Sequence, residues 1–335
     1  MTEDKQNEIL VIFTGGTIGS SVKNGIIAPD DAACDELLNS FRREYGEDVT
    51  FTSLKPFSIL SENVTPSELS QLCRVVEENR DKGYKGIIIT YGSDTLSYAT
   101  AFLGTAFRGR LNCPLVFVAG NKPLSDRTSN GFFNFSGAVW LIGYLSKSGF
   151  YNDVYAVWHD GSVFGVYRGT ELTEADAGGH NHGVFGGITF AEFYPEGLSN
   201  TGESYVWRMA VNDKHEDRCE TDLGAEELEQ FCKSGFDMSG GVAAIRSYPG
   251  IDFERFCLDG ISAVLVYGYH SGTFPPGFYE FAKKLKDKGI RLYASSFKKE
   301  AAAVYESVKD LGDCIKLEDM SFESAYAYML IRESV

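Results

Sequence analysis

Short apolar runs alternate with amphipathic stretches along the first half of the chain. Strands are predicted at residues 9–13, 87–89 and 114–119, where the runs are mainly apolar, and a further strand is predicted near residues 49–53. Helices are predicted from Thr65 to residue 76, where Pro66 and Glu68 supply start signals, and at residues 96–103 and 132–146. Strands that alternate with helices in this way predict a doubly wound, mainly parallel α/β sheet.

The pattern changes after residue 150. Two short apolar runs at 154–158 and 162–167, joined by Asp160 and Gly161, predict a hairpin. Residues 194–240 are polar and acidic, with isolated aromatic residues, no clear strand and a helical turn or two at 226–232, which indicates an interdomain connection. A second α/β unit follows, with strands predicted at 241–245, 263–267 and 291–294 and helices at 252–258, 278–288 and 321–332.

These elements predict two α/β domains, the larger at the amino terminus. The expected division is a first domain at residues 1–197, a connection at 198–240 and a smaller α/β domain at 241–335. The length of 335 residues and the 43% of hydrophobic residues are sufficient for two cores.

Charge and cysteine content narrow the class of protein. The net charge of -16 argues against nucleic acid and anionic membrane surfaces as partners. The first eight residues are too polar for a signal peptide, and no apolar run reaches the roughly 18 residues of a membrane helix. Seven scattered cysteines without a Cys-x-x-Cys pair indicate reduced thiols. We therefore expect a cytoplasmic protein.

Two glycine-bearing turns carry the candidate chemistry. Thr17 follows Gly16 in the turn after the first strand, and Ser93 and Asp94 follow Gly92 after the strand at 87–89. Turns at the carboxyl ends of parallel strands line the ligand crevice, and glycine lets the backbone approach a ligand closely. These residues are therefore expected to meet at one small polar substrate. Taken singly, either turn is also compatible with an ordinary strand-to-loop turn whose hydroxyl caps a helix.

Six ordered segments resemble the bacterial L-asparaginase family, including its cytosolic type I enzymes. They lie at residues 11–19, 61–67, 88–95, 119–134, 167–169 and 247–250. The resemblance implies an enzyme that hydrolyses the side-chain amide of L-asparagine or a related amide to a carboxylate and ammonia. It also implies no cofactor, no metal, and a homodimer or homotetramer. His180 and His182, two residues apart without a matching downstream pair, form only a weak metal pattern.

The resemblance also implies roles for single residues. Thr17 would attack the amide carbon, Ser93 would be the second catalytic hydroxyl, and Asp94 would bind the amino group of the substrate. Ser61 would bind its carboxylate, and Ser271, in a loop that reaches the site of a neighbouring subunit, stands where many relatives have Asn. The full expected site contains Gly16, Thr17, Ser61, Glu62, Ser93, Asp94, Glu174 and Ser271.

Four positions depart from the family pattern. Ser93 replaces Thr, Tyr91 replaces the signature His, and Ile26 stands at the Tyr of the mobile loop. Glu174 stands at the Lys that backs the second hydroxyl. Two outcomes stay open: Glu174 acts as a general base for Ser93 or for a water, or the proton relay is lost and the protein is a binding or sensing relative with little turnover. The extra carboxylate also predicts a more negative pocket.

Overall fold

The computed structural model describes residues 7–148, 152–159, 164–174, 185–198, 205–211, 221–235, 240–299 and 311–335, together with residues 305 and 308. The chain divides into two compact units, Met1–Glu216 and Asp217–Val335. Each unit contains its own sheet. In the described ranges no helix combines the length and apolar character needed to cross a bilayer.

The first unit is built on a large mixed sheet. Its strands are β1 (Glu8–Phe13), β4 (Thr50–Leu54), β5 (Gly86–Thr90), β6 (Leu115–Val118), β7 (Val154–His159), β8 (Phe164–Glu174), β9 (Phe185–Leu198) and β10 (Tyr205–Val211), and β2 (Ser20–Lys23) and β3 (Ile26–Pro29) form a separate hairpin. The sheet order is β10-β9-β8-β7-β6-β5-β1-β4. Pairing is parallel from β4 to β7 and antiparallel from β7 to β10.

Helices pack against this sheet in two pairs. Their bounds are α1 (Asp31–Tyr45), α2 (Pro66–Glu77), α3 (Leu96–Ala106) and α4 (Gly131–Ser148). Helix α1 contacts α4, and α2 contacts α3. The start of α2 follows from its sequence: the amide of Ser67 donates to the Thr65 hydroxyl, and the Glu68 carboxylate accepts from the amide of Thr65.

The strand order changes direction beside β1. The chain leaves β1, forms β4 on one side of it, and returns to form β5 on the other side. This reversal is a topological switch point, and ligands of open α/β sheets bind outside the carboxyl ends of the strands there. The turns after β1 and β5 therefore lie at the expected ligand crevice.

The second unit has a smaller parallel sheet. Its strands are β11 (Gly241–Arg246), β12 (Ile261–Tyr267), β13 (Arg291–Phe297) and β14 (Ile315–Glu318), and its helices are α5 (Ala225–Ser234), α6 (Phe278–Asp287) and α7 (Phe322–Arg332). The strands pair in chain order. The prediction of two α/β units, the larger at the amino terminus, is confirmed. The predicted boundaries at residues 197 and 241 stay a prediction.

Two element predictions are wrong. The stretch 194–240 was expected to lack strands, but β9 runs to Leu198 and β10 pairs with it. Strand β10 is the edge of the sheet, and its sequence, Tyr205–Val211, is rich in the aromatic and β-branched residues that favour a strand. The helix expected at 252–258 is only a 3-10 turn, Phe253–Arg255. The backbone is extended at Phe256, and the rings of Phe253 and Phe256 both contact Phe281, with centroids 4.8 and 6.4 Å away.

Candidate active site

The turn after β1 is bonded to the segment that follows β4. The amide of Gly16 donates to the carbonyl of Ile59 at 3.0 Å, and the amide of Ile59 donates to the carbonyl of Thr14, also at 3.0 Å. Gly15 and Ile59 form an isolated parallel bridge. This pairing continues the β1–β4 side of the sheet into the loops, so the two loops hold a fixed position relative to each other.

The turn after β5 lies against both of these loops at van der Waals distance. A Cβ on Gly16 would lie 2.4 Å from the Gly92 nitrogen, and a Cβ on Gly92 would lie 2.3 Å from the Ser61 Oγ. Side chains cannot be accommodated at such distances, so glycine is required for this close approach. The sequence therefore brings three separate turns into one contact, and each of them carries a predicted site residue.

Ser61 and Asp94 are in contact at this junction. The Ser61 hydroxyl donates to Asp94 Oδ2 at 3.4 Å, and the Thr95 hydroxyl donates to the Ser61 carbonyl at 3.1 Å. Ser61 is buried, with 5% of its surface exposed, whereas Asp94 is exposed. Glu62, the next residue after Ser61, is also exposed. The arrangement offers a hydroxyl and a carboxylate side by side, which suits the carboxylate and ammonium groups of an amino acid.

Thr17 begins a 3-10 turn, Thr17–Gly19, and is half-buried. Gly16 before it has a φ of 68° and a ψ of 179°, a conformation that glycine adopts without strain and that other residues rarely adopt. The Gly16 carbonyl accepts from the amide of Gly19 at 3.1 Å and from the Ser20 hydroxyl at 2.7 Å. Ile18 is fully buried. The neighbours of Thr17 are thus anchored on both sides, while Thr17 itself keeps contact with solvent.

The hairpin β2–β3 follows this turn directly. Asn24 and Gly25 have φ values of 53° and 77°, as the tight two-residue turns of hairpins require. Ile26, at the position of the mobile-loop Tyr, is 68% exposed. At the base of the hairpin, the Ser21 hydroxyl donates to Asp30 at 2.7 Å and lowers the pKa of that carboxyl to about 2, with help from the amide of Ala32 and from Lys23.

Tyr91, at the position of the signature His, has a buried side chain in the structure. Its ring lies edge-on to Phe117 at 5.8 Å. Burial raises the pKa of the phenol to about 12, and the side chain of Thr95 opposes this rise only in part. The Tyr91 side chain therefore packs beneath the turn after β5, and its phenol stays neutral at physiological pH.

The loop after β6 also borders the Thr17 turn. A Cβ on Gly120 would lie 3.4 Å from the Cβ of Ile18. The loop is held by Asn130, whose side chain donates to the His159 carbonyl at 3.0 Å, and by Asn134, which donates to the Ala119 carbonyl at 2.8 Å. These two asparagines lie in one of the segments that carried the family resemblance, but the sequence did not reveal this structural role.

Sequence reasoning missed three other residues at the junction. Thr14, Ile59 and Thr95 bond the three turns together through backbone or hydroxyl groups. The hydroxyls of Thr14 and Thr95 lie within the segments that resemble the family, which is the signal that could have found them. Ile59 acts through its backbone alone, and no side-chain pattern reveals such a role.

The remaining predicted site residues lie in the second unit or have side chains outside the described residues. Glu174 ends β8, and its side chain lies outside the described residues. Ser271 lies in the second unit, in the turn after β12, where it is exposed and 3.4 Å from the hydroxyl of Thr273. His180 and His182 also lie outside the described residues. In the described ranges, no group of three or more His, Cys, Asp or Glu side chains is placed to hold a metal.

Comparison with known proteins agrees with this geometry. The family described as "Asparaginase, N-terminal" matches residues 8–181, which is more than half of the chain. The chain therefore belongs to the asparaginase family. It is 25% identical over 336 residues to a glutamyl-tRNA(Gln) amidotransferase subunit from Sulfolobus acidocaldarius, covering 97% of this chain and 70% of that protein.

Two solved structures share the fold. The thermostable L-asparaginase from Thermococcus kodakarensis superposes with a TM-score of 0.66 at 21% identity, over 98% of this chain and 93% of that one. L-asparaginase I from Vibrio cholerae gives a TM-score of 0.64 at 21% identity, over the same shares of the two chains. At this level of identity, both show the fold alone.

Proposed function

We propose that this chain is an amidohydrolase that hydrolyses the side-chain amide of L-asparagine or a related small amide. The observation that carries the proposal is the contact of Gly16, Gly92 and Ser61, because it unites the turns that bear Thr17, Ser93 and Asp94. Membership of the asparaginase family supports the same reaction class.

In the proposed reaction Thr17 Oγ1 attacks the amide carbon and passes its proton to a base. The tetrahedral intermediate expels the nitrogen, which leaves as ammonia after it takes up a proton. An ester between Thr17 and the acyl group remains, and a water then hydrolyses it to the carboxylate product. Asp94 holds the ammonium group of the substrate, and Ser61 donates to its carboxylate. Ser93 supplies the second hydroxyl at the same turn.

The proposed reaction needs a base. A hydroxyl is a weak nucleophile at its own pKa and needs a proton acceptor within hydrogen-bond reach. Glu174, at the end of β8, is our candidate for a general base that serves Ser93 or a water, because it stands at the position of the Lys that backs the second hydroxyl in the family. A carboxylate accepts a proton directly, so this exchange of residue replaces one form of activation with another.

A second candidate function is binding or sensing with little turnover. The observation that favours it is Ile26, an alkyl side chain with no acid–base chemistry, 68% exposed where the family has a Tyr. Such a protein would bind an amide or amino acid in the same crevice and release it unchanged.

The relatives widen the choice of amide. The name of the Sulfolobus acidocaldarius relative describes part of an amidotransferase, and an amidotransferase takes its nitrogen from an amide donor. Glutamine therefore joins asparagine as a substrate to test. The resemblance to the asparaginases implies an oligomer. We therefore propose that the active form is a homodimer or homotetramer.

The deciding experiment is a coupled assay for ammonia with asparagine, glutamine and a panel of other amides, run beside calorimetric titration of the same compounds. Release of ammonia that requires Thr17 supports the amidohydrolase. Binding of an amide without release of ammonia supports the sensing alternative. If the chain neither binds nor hydrolyses any compound of the panel, both proposed functions are wrong.

A further inference from the structure

We propose that Thr14 is a positioning residue that sets the spacing between the Thr17 turn and the Ser93–Asp94 turn. The inference rests on the proposed function, because the two turns matter through the substrate that they share. Thr14 is not assigned a role by the chemistry above, and it is 1% exposed, so it does not touch the substrate.

Thr14 lies at the end of the ladder between β1 and β5. Phe13 is the last residue of β1 in register, opposite Thr90. One residue later, the amide nitrogen of Thr14 lies 3.4 Å from the Thr90 carbonyl oxygen, which is long for a hydrogen bond. The Thr14 hydroxyl donates to that same carbonyl at 2.7 Å. A side chain therefore makes the short bond at the point where the backbone ladder weakens.

The backbone of Thr14 is engaged on the opposite side at the same time. Its carbonyl accepts from the amide of Ile59 at 3.0 Å, in the segment that leads to Ser61. Thr14 thus bonds to β5 through its hydroxyl and to the β4 segment through its carbonyl. Because Ser93 follows Thr90 by three residues and Thr17 follows Thr14 by three, the hydroxyl bond lies at the common base of both catalytic turns.

Removal of the hydroxyl is expected to loosen both turns without unfolding the sheet. Thr14→Val keeps the β-branched shape and loses the bond, whereas Thr14→Ser keeps the hydroxyl. Thr105→Val is a matched control, since Thr105 is also 1% exposed and its hydroxyl donates to a carbonyl, that of Ala101, at 2.9 Å. Both partners of this control bond lie inside α3, away from the three turns.

The experiment measures hydrogen–deuterium exchange and turnover in the full chain. In Thr14→Val we expect faster amide exchange in residues 14–19 and 91–95, and a fall in kcat of about tenfold to a hundredfold, as small misplacements of reacting groups produce. KM is expected to change less than kcat. Thr14→Ser should restore both measurements toward wild type, and Thr105→Val should change neither the exchange in these segments nor kcat.

The outcomes separate this inference from the proposed function. If exchange in residues 91–95 is the same in Thr14→Val as in Thr105→Val, the inference is wrong whether or not the wild type is active. If the wild type releases ammonia and Thr14→Val retains its kcat, the inference is also wrong. If the exchange changes as expected but the wild type releases no ammonia from any amide, Thr14 keeps its positioning role and the proposed function fails.

Discussion

Gly16 and Gly92 touch through their backbones, so that the residue before Thr17 and the residue before Ser93 occupy adjacent positions. A Cβ on Gly16 would lie 2.4 Å from the Gly92 nitrogen and 2.6 Å from its Cα. This contact fixes how closely the two hydroxyl-bearing turns approach. It also makes the site sensitive to a single methyl group.

We predict that Gly16→Ala destabilises the protein more than Gly109→Ala. Both glycines have a left-handed φ, 68° and 64°, but nothing lies within 4 Å of a Cβ on Gly109. The control carries the cost of a positive φ without a steric clash, and Gly16→Ala adds overpacking, with an extra loss of about 1–3 kcal/mol in the free energy of unfolding. Denaturant titration measures the difference. Equal losses in the two variants would show that the turns separate easily.

Thr17→Ala is expected to abolish release of ammonia, because it removes the proposed nucleophile. The free energy of unfolding should change little, since Thr17 is half-buried and its neighbours provide the anchoring bonds. Thr17→Ser keeps a hydroxyl and should retain part of the turnover. The ammonia assay and a thermal melt test this together. Turnover like that of wild type in Thr17→Ala would exclude Thr17 as the nucleophile.

The hairpin next to the site has a measurable pH signature. The Ser21 hydroxyl holds the pKa of Asp30 at about 2, below the ordinary value near 3.9. A lowered folded-state pKa contributes stability above the unfolded pKa, and this stability is lost as the pH falls through the folded pKa. Ser21→Ala should therefore raise the pKa of Asp30, as followed by NMR titration of its carboxyl carbon.

Ser40→Ala is the control for that titration. The Ser40 hydroxyl donates to Glu36 on α1, so its loss should leave the pKa of Asp30 where it is. An Asp30 that still titrates near 2 in Ser21→Ala would mean that the amide of Ala32 and the charge of Lys23 suffice to lower it.

The preference of the protein for a substrate of a given charge is expected to depend on Glu174. With Asp94 and Glu174 as carboxylates where the family pairs a carboxylate with a Lys, a ligand with more positive charge gains attraction. We predict that wild type has a higher kcat/KM for L-asparaginamide, which lacks the substrate carboxylate, than for asparagine, and that Glu174→Lys reverses the preference.

Glu192→Lys controls for the change in overall charge, because Glu192 is an exposed acid on the adjacent strand β9. It should leave the ratio of the two efficiencies unchanged. If wild type strongly favours asparagine and Glu174→Lys loses that activity, Glu174 is a base in an ordinary asparaginase site and the charge argument is wrong.

Assembly is the last prediction. If the loop that carries Ser271 completes the site of a neighbouring subunit, the active species is at least a dimer, and activity per chain should fall on dilution. Sedimentation velocity over a concentration series, with ammonia release measured on the same samples, tests this. A monomer with full activity would refute it.

The sequence by itself determined the central strands of the first unit and the identity of the turns. The continuous apolar run of β1 and the capping signals at Thr65 and Glu68 are local features, and the structure has a strand and a helix there. The two glycine turns and the family resemblance followed from short stretches of neighbouring residues. Such predictions succeed because periodicity, capping and turn chemistry act over a few residues.

The tertiary structure decided how these pieces meet. Thr14 and Thr90 are 76 residues apart, and only the placement of β1 beside β5 brings the hydroxyl of one to the carbonyl of the other. The clash that a side chain on Gly92 would make with Ser61 likewise depends on three loops at once. Strand β10 does carry β-forming residues, among them Tyr205, Val206 and Trp207, but its place at the edge of the sheet is decided by its pairing with β9. Contacts between distant segments have no local signature, so the geometry of the site is a property of the folded sheet.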